Sequence, residues 1–221
     1  MIDFVKKNLD TIRFIHIGKC GGETIKHFFT LHETKITTYH VFDHIEYDDN
    51  MKYIICIRNP ILRAISAFNF RYHECNKIPR SKYYYAKENE EKILHKYENL
   101  NNLALELYNS DIKNEITHKE LFTIGHIEHN ISYYLRDLFK TINSDQILYI
   151  FKQENLNEDI KTFFNIKKLP TIYHHRSNKK KFLSKTAYKN LKKALQPDYE
   201  CLNKLIQFNK IEKEFIKYYK E

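Results

Sequence analysis

Lys19, Gly21, Gly22 and Thr24 stand close together in the chain, and their types suit one task, the holding of an anion. The chain has four glycines in 221 residues, and Gly18, Gly21 and Gly22 fall within five positions. Glycine is favoured where a chain turns sharply or lets a ligand approach its amides. Upstream, Ile12, Phe14, Ile15 and Ile17 make a β-branched and aromatic run that predicts a buried strand. From Glu23 onward, Thr24, Ile25, Phe28 and Phe29 have amphipathic helical spacing. Strand, Gly-rich turn and helix together aim the N–H groups of a helix N-terminus at one point, with the positive end of the helix dipole behind them. That geometry suits phosphate. Lys19 adds a charge and Thr24 a hydroxyl. An ordinary βα turn with a surface lysine is the plainer alternative. The stretch is not G-x-x-x-x-G-K-[ST], because its lysine precedes the glycines, nor is it G-x-G-x-x-G.

A second group follows the apolar run Lys52 to Ile57. Arg58 comes directly after it and Ser66 eight residues later. Ligands of an open parallel sheet gather at the carboxyl ends of its strands, so Arg58 belongs on the same edge as Lys19. A guanidinium grips phosphate with two parallel bonds, and Ser66 adds a hydroxyl. Two histidines between the groups, His40 and His44, are candidates for a general base, a task to which histidine as a residue type is suited. His126 and His129 are three apart and could share a helix face, but no third or fourth metal ligand is evident beside them. An acceptor-site or helix-capping role is the alternative for that pair, and His40 and His44 have the plain reading of loop histidines. Lys179, Lys180 and Lys181 form the densest basic run, which is either a solvated surface or an anion contact.

The order His-x-x-Lys-x-Gly-Gly-x-Thr, from His16 to Thr24, resembles the 5′-phosphosulfate loop of sulfotransferases that use 3′-phosphoadenosine 5′-phosphosulfate (PAPS). The string Arg58 to Ser66 is similar to the 3′-phosphate motif of the same family. The nearest likeness is to carbohydrate sulfotransferases related to heparan sulfate 2-O-sulfotransferase. Gly18 stands where that family usually has proline, and Glu23 where it usually has Thr or Ser. The resemblance implies an α/β, P-loop-like three-layer fold with a central parallel sheet flanked by helices. It implies PAPS as cosubstrate, no required metal and a hydroxylated, carbohydrate acceptor. Lys19, Cys20, Gly21, Gly22, Glu23 and Thr24 would hold the phosphosulfate, and Arg58 and Ser66 the 3′-phosphate. Ser177, Lys179 and Lys180 would lie in a late loop over the nucleotide. Lys19 would stabilise the departing oxygen, and His40, in a segment similar to the family's histidine-bearing one, would be the base in preference to His44. Glu154-Asn155-Leu156 looks like a structural turn common in the family. The likeness covers roughly residues 11 to 70 well and 146 to 181 loosely.

These groups need elements to carry them. Residues 1 to 10 predict a lead-in helix, Thr37 to Val41 a short strand, and Asn59-Pro60 the capped start of a helix running to about His73. Residues 75 to 98 read as a loop and surface helix forming a mobile flap. Leu100 to Tyr108, Ile131 to Phe139, Ile160 to Phe164, Lys185 to Leu195 and Pro197 to Tyr218 read as helices, and Gln146 to Phe151 as the third main strand. Strands alternating with helices predict a parallel sheet covered on both faces. The chain reads as a single domain of 1 to 221, with no repeat.

Apolar residues make up 42% of the chain and charged residues 29%, with 17 Tyr and 15 Phe, as in a folded and well-solvated protein. No apolar run is long enough to span a membrane, and the N-terminus does not read as a signal peptide. Four scattered cysteines without a C-x-x-C pair indicate free thiols, so a cytoplasmic setting is expected. A net charge of +9 favours a polyanionic partner and leaves open nucleic acid, acidic glycan or nucleotide. A nucleotide-dependent kinase would want Mg²⁺, an acidic metal ligand after a strand and a lysine after the glycines. A basic nucleic-acid-binding module would leave the paired phosphate motifs unexplained, so no nucleic-acid partner is expected.

Overall fold

The computed structural model describes residues 1–40, 47–77, 89–170 and 182–217. The chain begins with α1 (Ile2–Lys7), β1 (Ile12–Ile15), α2 (Gly22–Leu31), β2 (Thr37–Tyr39) and β3 (Lys52–Ile57). Next come α3 (Pro60–Cys75), α4 (Glu90–Tyr97), α5 (Leu100–Glu106), the two-residue strands β4 (Tyr108–Asn109) and β5 (Ile112–Lys113), and α6 (Glu115–Leu121). The last stretch holds α7 (Ile131–Leu135), α8 (Leu138–Thr141), β6 (Ile147–Lys152), α9 (Leu156–Phe164), α10 (Lys185–Ala194) and α11 (Gln196–Gln207). This is an α/β fold with a four-stranded, all-parallel sheet in the order β2-β1-β3-β6.

Contacts divide the chain into two units, the first made of Met1–Asn59, Ile131–Arg176 and Tyr199–Glu221, the second of Pro60–Asn130 and Ser177–Asp198. The first unit holds the sheet. Successive strand residues point to opposite faces, and Tyr53, Ile54, Ile55, Cys56 and Ile57 are all buried, so β3 is covered on both sides. Its core joins Phe14, Ile15 and Ile17 to Phe28 and Phe29 of α2 and to Phe163 and Phe164 of α9. The second unit is helical, with the β4–β5 hairpin beside it. There Asn190 of α10 donates to the carbonyls of Ala104, Leu105 and Tyr108, occupying acceptors that the end of α5 leaves open. Arg71 and Glu90 form a buried two-point ion pair, and the Gly125 N–H donates to the same carboxylate at 2.7 Å.

Several elements differ from expectation. Ile131 to Phe139 is broken into α7 and α8. The Tyr47 hydroxyl donates to the carbonyl of Tyr134, the acceptor that residue 138 would need in an unbroken helix. The last long helix stops at Gln207 rather than near Tyr218, because Asn209 takes a left-handed φ of 54° and Lys210 N–H bonds back to Leu205. The β4–β5 hairpin and α6 lie where no element was expected. The helix expected within residues 75 to 98 is α4, which buries Glu90, Ile93, Leu94 and Tyr97 rather than lying on the surface. Residues 78–88 of the expected flap lie outside the described residues.

Candidate functional site

Parallel register decides which residues meet at the carboxyl edge of the sheet. Ile15 of β1 lies opposite Tyr39 of β2, and the His16 N–H donates to the Tyr39 carbonyl at 2.9 Å. One step further, the His16 and His40 rings meet edge to face with centroids 4.3 Å apart. On the other side of β1, Ile15 opposes Ile55 of β3, so the chains leaving both strands run side by side. Arg58 Nη1 donates to the Lys19 carbonyl at 3.1 Å. Directly after β6, Glu154 Oε1 accepts from the Asn59 N–H at 2.9 Å and ties the ends of β3 and β6 together. That is the structural role expected of the Glu154 turn.

The strand order gives this edge a crevice. From β1 the chain moves outward to β2, whereas β3 and β6 lie on the opposite side of β1. The direction in which the chain adds strands therefore reverses between β1 and β3, the switch point at which open α/β sheets receive ligands. The loop from Gly18 to Gly22 and the side chain of Arg58 flank it.

Backbone conformation turns that loop into a concavity. Lys19 has φ 68° and Gly21 φ 84°, while Cys20 and Gly22 do not have positive φ. Such alternation swings successive N–H groups to one side and favours an anion. A lysine in left-handed conformation costs about 1 kcal/mol, which packing around it must offset. Gly21 is the N-cap of α2 and supplies no side-chain cap, so no side chain of the cap covers the first-turn amides.

Both loop glycines are required by their neighbours. A Cβ on Gly22 would lie 1.8 Å from Cδ2 of His16, and one on Gly21 would lie 2.3 Å from Gln153 Oε1 and 2.8 Å from Leu156 Cδ2. His16 is 3% exposed, and its Nδ1 has no hydrogen-bond partner. Burial, aided by electrostatic interaction with His40 and Lys26, lowers its pKa to about 3. The ring is neutral near pH 7, so the 3.6 Å approach of Glu23 Oε1 is not an ion pair. Glu23 instead pairs with Lys26 Nζ at 3.3 Å, one turn along α2.

The first unit thus gathers Lys19, Cys20, Gly21, Gly22, Glu23, Thr24, His40 and Arg58. Lys19, Thr24, His40 and Arg58 are half-buried, whereas the Cys20 thiol is fully buried and offers the site only backbone. Ser66 stands in the second unit, half-buried on α3. Ser177, Lys179, Lys180 and His44 lie outside the described residues. His126 and His129 sit on no helix; their backbone carbonyls accept from Arg63 Nη2 at 2.7 and 2.5 Å. Among the described residues, no cluster of three or more His, Cys, Asp or Glu could hold a metal ion. Two contributors had no role assigned from sequence, His16 beneath Gly22 and Gln153 beside Gly21. His16 stood inside the quoted motif, but only strand pairing shows what it touches. Comparison with protein-family models, curated proteins and solved structures finds no match for this chain.

Proposed function

We propose that this chain is a PAPS-dependent sulfotransferase with a P-loop-like, three-layer fold of the sulfotransferase type, acting on a carbohydrate hydroxyl. The observation that carries the reading is the meeting, at the switch point, of the Lys19–Gly22 loop and Arg58. PAPS carries a phosphosulfate on its 5′ side and a phosphate on its 3′ side. A concave loop with an uncapped helix behind it suits the first, and a guanidinium on the adjacent strand end suits the second. The resemblance to the family would assign Ser66, Ser177, Lys179 and Lys180 to the same donor.

In the reaction, the acceptor hydroxyl oxygen forms a bond to sulfur while the bond from sulfur to the 5′-phosphate oxygen breaks. Adenosine 3′,5′-bisphosphate leaves with that electron pair, and the hydroxyl proton passes to His40. Lys19 stabilises charge on the departing oxygen. This is positioning and electrostatics in an in-line displacement, with a general base adding roughly 10²–10⁴-fold. His16, packed on the His40 ring, restricts its orientation.

Calorimetry with adenosine 3′,5′-bisphosphate against ATP and AMP, with and without Mg²⁺, tests the reading. Metal-independent binding that needs the 3′-phosphate is expected, weakened about 10- to 100-fold by Arg58→Ala, the usual range for one charged hydrogen-bonding partner. His40→Ala should abolish turnover and leave that affinity nearly intact. Preference for ATP with Mg²⁺ would point to phosphoryl transfer, and no binding of the bisphosphate would overturn the proposal.

A further inference from the structure

A groove of about 310 Å³ runs between α4 and α6 of the second unit, lined by Asn89, Lys92, Ile93, Lys96, Ile116, Lys119, Glu120 and Thr123. Its charge is unbalanced, with three lysines facing one glutamate. That glutamate is already engaged: Glu120 accepts from Lys96 Nζ at 2.9 Å and from the Tyr97 hydroxyl at 2.6 Å. The ammonium groups of Lys92 and Lys119 form no ion pair with any other described residue. Ile116 of α6 lines the groove and is 72% exposed, one of the large apolar side chains left open to water. Lys96 is therefore already paired, and Lys92 of α4 and Lys119 of α6 are the two unpaired cations of a lining that also holds Ile93 and Ile116.

The lining also says which anion fits. Among the described residues that line the groove there is no aromatic ring and no arginine, so they offer neither the stacking platform that single-stranded nucleic acid uses nor the planar fork that suits phosphate. Lysine is a compact point charge suited to single carboxylate or sulfate groups. Asn89 and Thr123 offer amide and hydroxyl partners, and Ile93 and Ile116 an aliphatic floor. Hydroxyls, C–H faces and isolated acid groups occur together on an acidic saccharide. The volume is at the small end of ligand sites, enough for a short segment of a chain.

We infer that the α4–α6 groove is a docking subsite for an acidic saccharide, one bearing carboxylate or sulfate groups. The inference deepens the proposed function, on which the choice of a saccharide rests, by assigning acceptor anchoring to this groove.

The test is titration of the full chain with an oligogalacturonate, its carboxyl-reduced neutral counterpart and a sulfated tetrasaccharide. Adenosine 3′,5′-bisphosphate is titrated in parallel. The proposal expects one or both acidic saccharides to bind, the neutral one to bind at least tenfold more weakly, and added salt to weaken binding. Which acidic probe binds tells carboxylate from sulfate. In the double variant Lys92→Glu, Lys119→Glu, affinity should fall by about tenfold or more, as for reversal of two exposed charge contacts. Both lysines are exposed, so the melting temperature checks that the variant folds. Bisphosphate affinity should not change. No acidic saccharide binding, an unaffected double variant, or equal competition by polyglutamate or an oligonucleotide would each overturn the proposal. Saccharide binding lost in the double variant, without any bisphosphate binding, would sustain the groove and defeat the transferase reading.

Discussion

At Gly22 the loop has no room for a methyl group, because the neighbouring atoms belong to the buried ring of His16, whose position is set by strand pairing. Gly22→Ala should therefore displace the ring or the loop and cost about 1–3 kcal/mol, read by urea unfolding. His16 itself makes stability depend on pH. Its folded pKa, about 3, lies below the ordinary 6.5, so between these values the unfolded chain takes up a proton that the folded chain refuses. Its contribution is fully present above pH 6.5 and falls by about 1.4 kcal/mol for each unit of acidification towards pH 3. Unfolding measured from pH 7 to pH 4.5 should show this slope in the native chain and a shallower one in His16→Asn. Equal slopes would mean that the ring is protonated in the folded protein.

Helices in this chain end without glycine. Glu33, Asn165 and Asn209 take φ near 54° after α2, α9 and α11, and in each case the next N–H bonds to the carbonyl five residues back. This is the C-terminal motif that glycine normally fills. Three of the four glycines instead serve the loop and turn before α2. A glutamate in that conformation carries steric strain, so Glu33→Gly should raise stability by about 0.5 kcal/mol, the relief of strain less the added chain entropy. A thermal melt would show it, and a loss of stability would mean that the Glu33 side chain makes a contact worth more. In the second unit, α3 and α4 are joined by the buried Arg71–Glu90 pair. Glu90→Ala leaves a buried guanidinium and the Gly125 N–H without their acceptor, at a cost of about 3–5 kcal/mol. A change below 1 kcal/mol on urea unfolding would show that water replaces the carboxylate.

The whole molecule carries a net charge of +9, and no helix among the described residues is long and apolar enough to cross a membrane. That charge acts over the Debye length, about 10 Å at 0.1 M salt and 3 Å at 1 M. Association with adenosine 3′,5′-bisphosphate should accordingly slow by about tenfold between low and high salt, within the range for steered encounters. Neutral adenosine is the control. Stopped-flow rates that ignore salt would place the anion contacts beyond the reach of the surface charge.

Local pattern was enough to read the strands of the parallel sheet and the loop between β1 and α2 from the sequence. Strand residues such as Tyr53 to Ile57 are an unbroken apolar run, and two glycines beside a lysine have few local uses. The start of α3 was legible because Asn-Pro acts on its own backbone. Contacts between residues distant in sequence were not legible. The break between α7 and α8 depends on a hydroxyl from Tyr47, and α11 ends on an asparagine that composition does not mark as a stop. His16 became more than a motif letter only when parallel register set it beside His40 and under Gly22. The sequence by itself determined which residue types could bind an anion and which segments carry them. The sequence also set Arg58 on the edge that carries Lys19; the tertiary structure decided that His16 and His40 meet there and that Arg58 bonds the Lys19 carbonyl, because register and strand order are set by burial across the whole sheet.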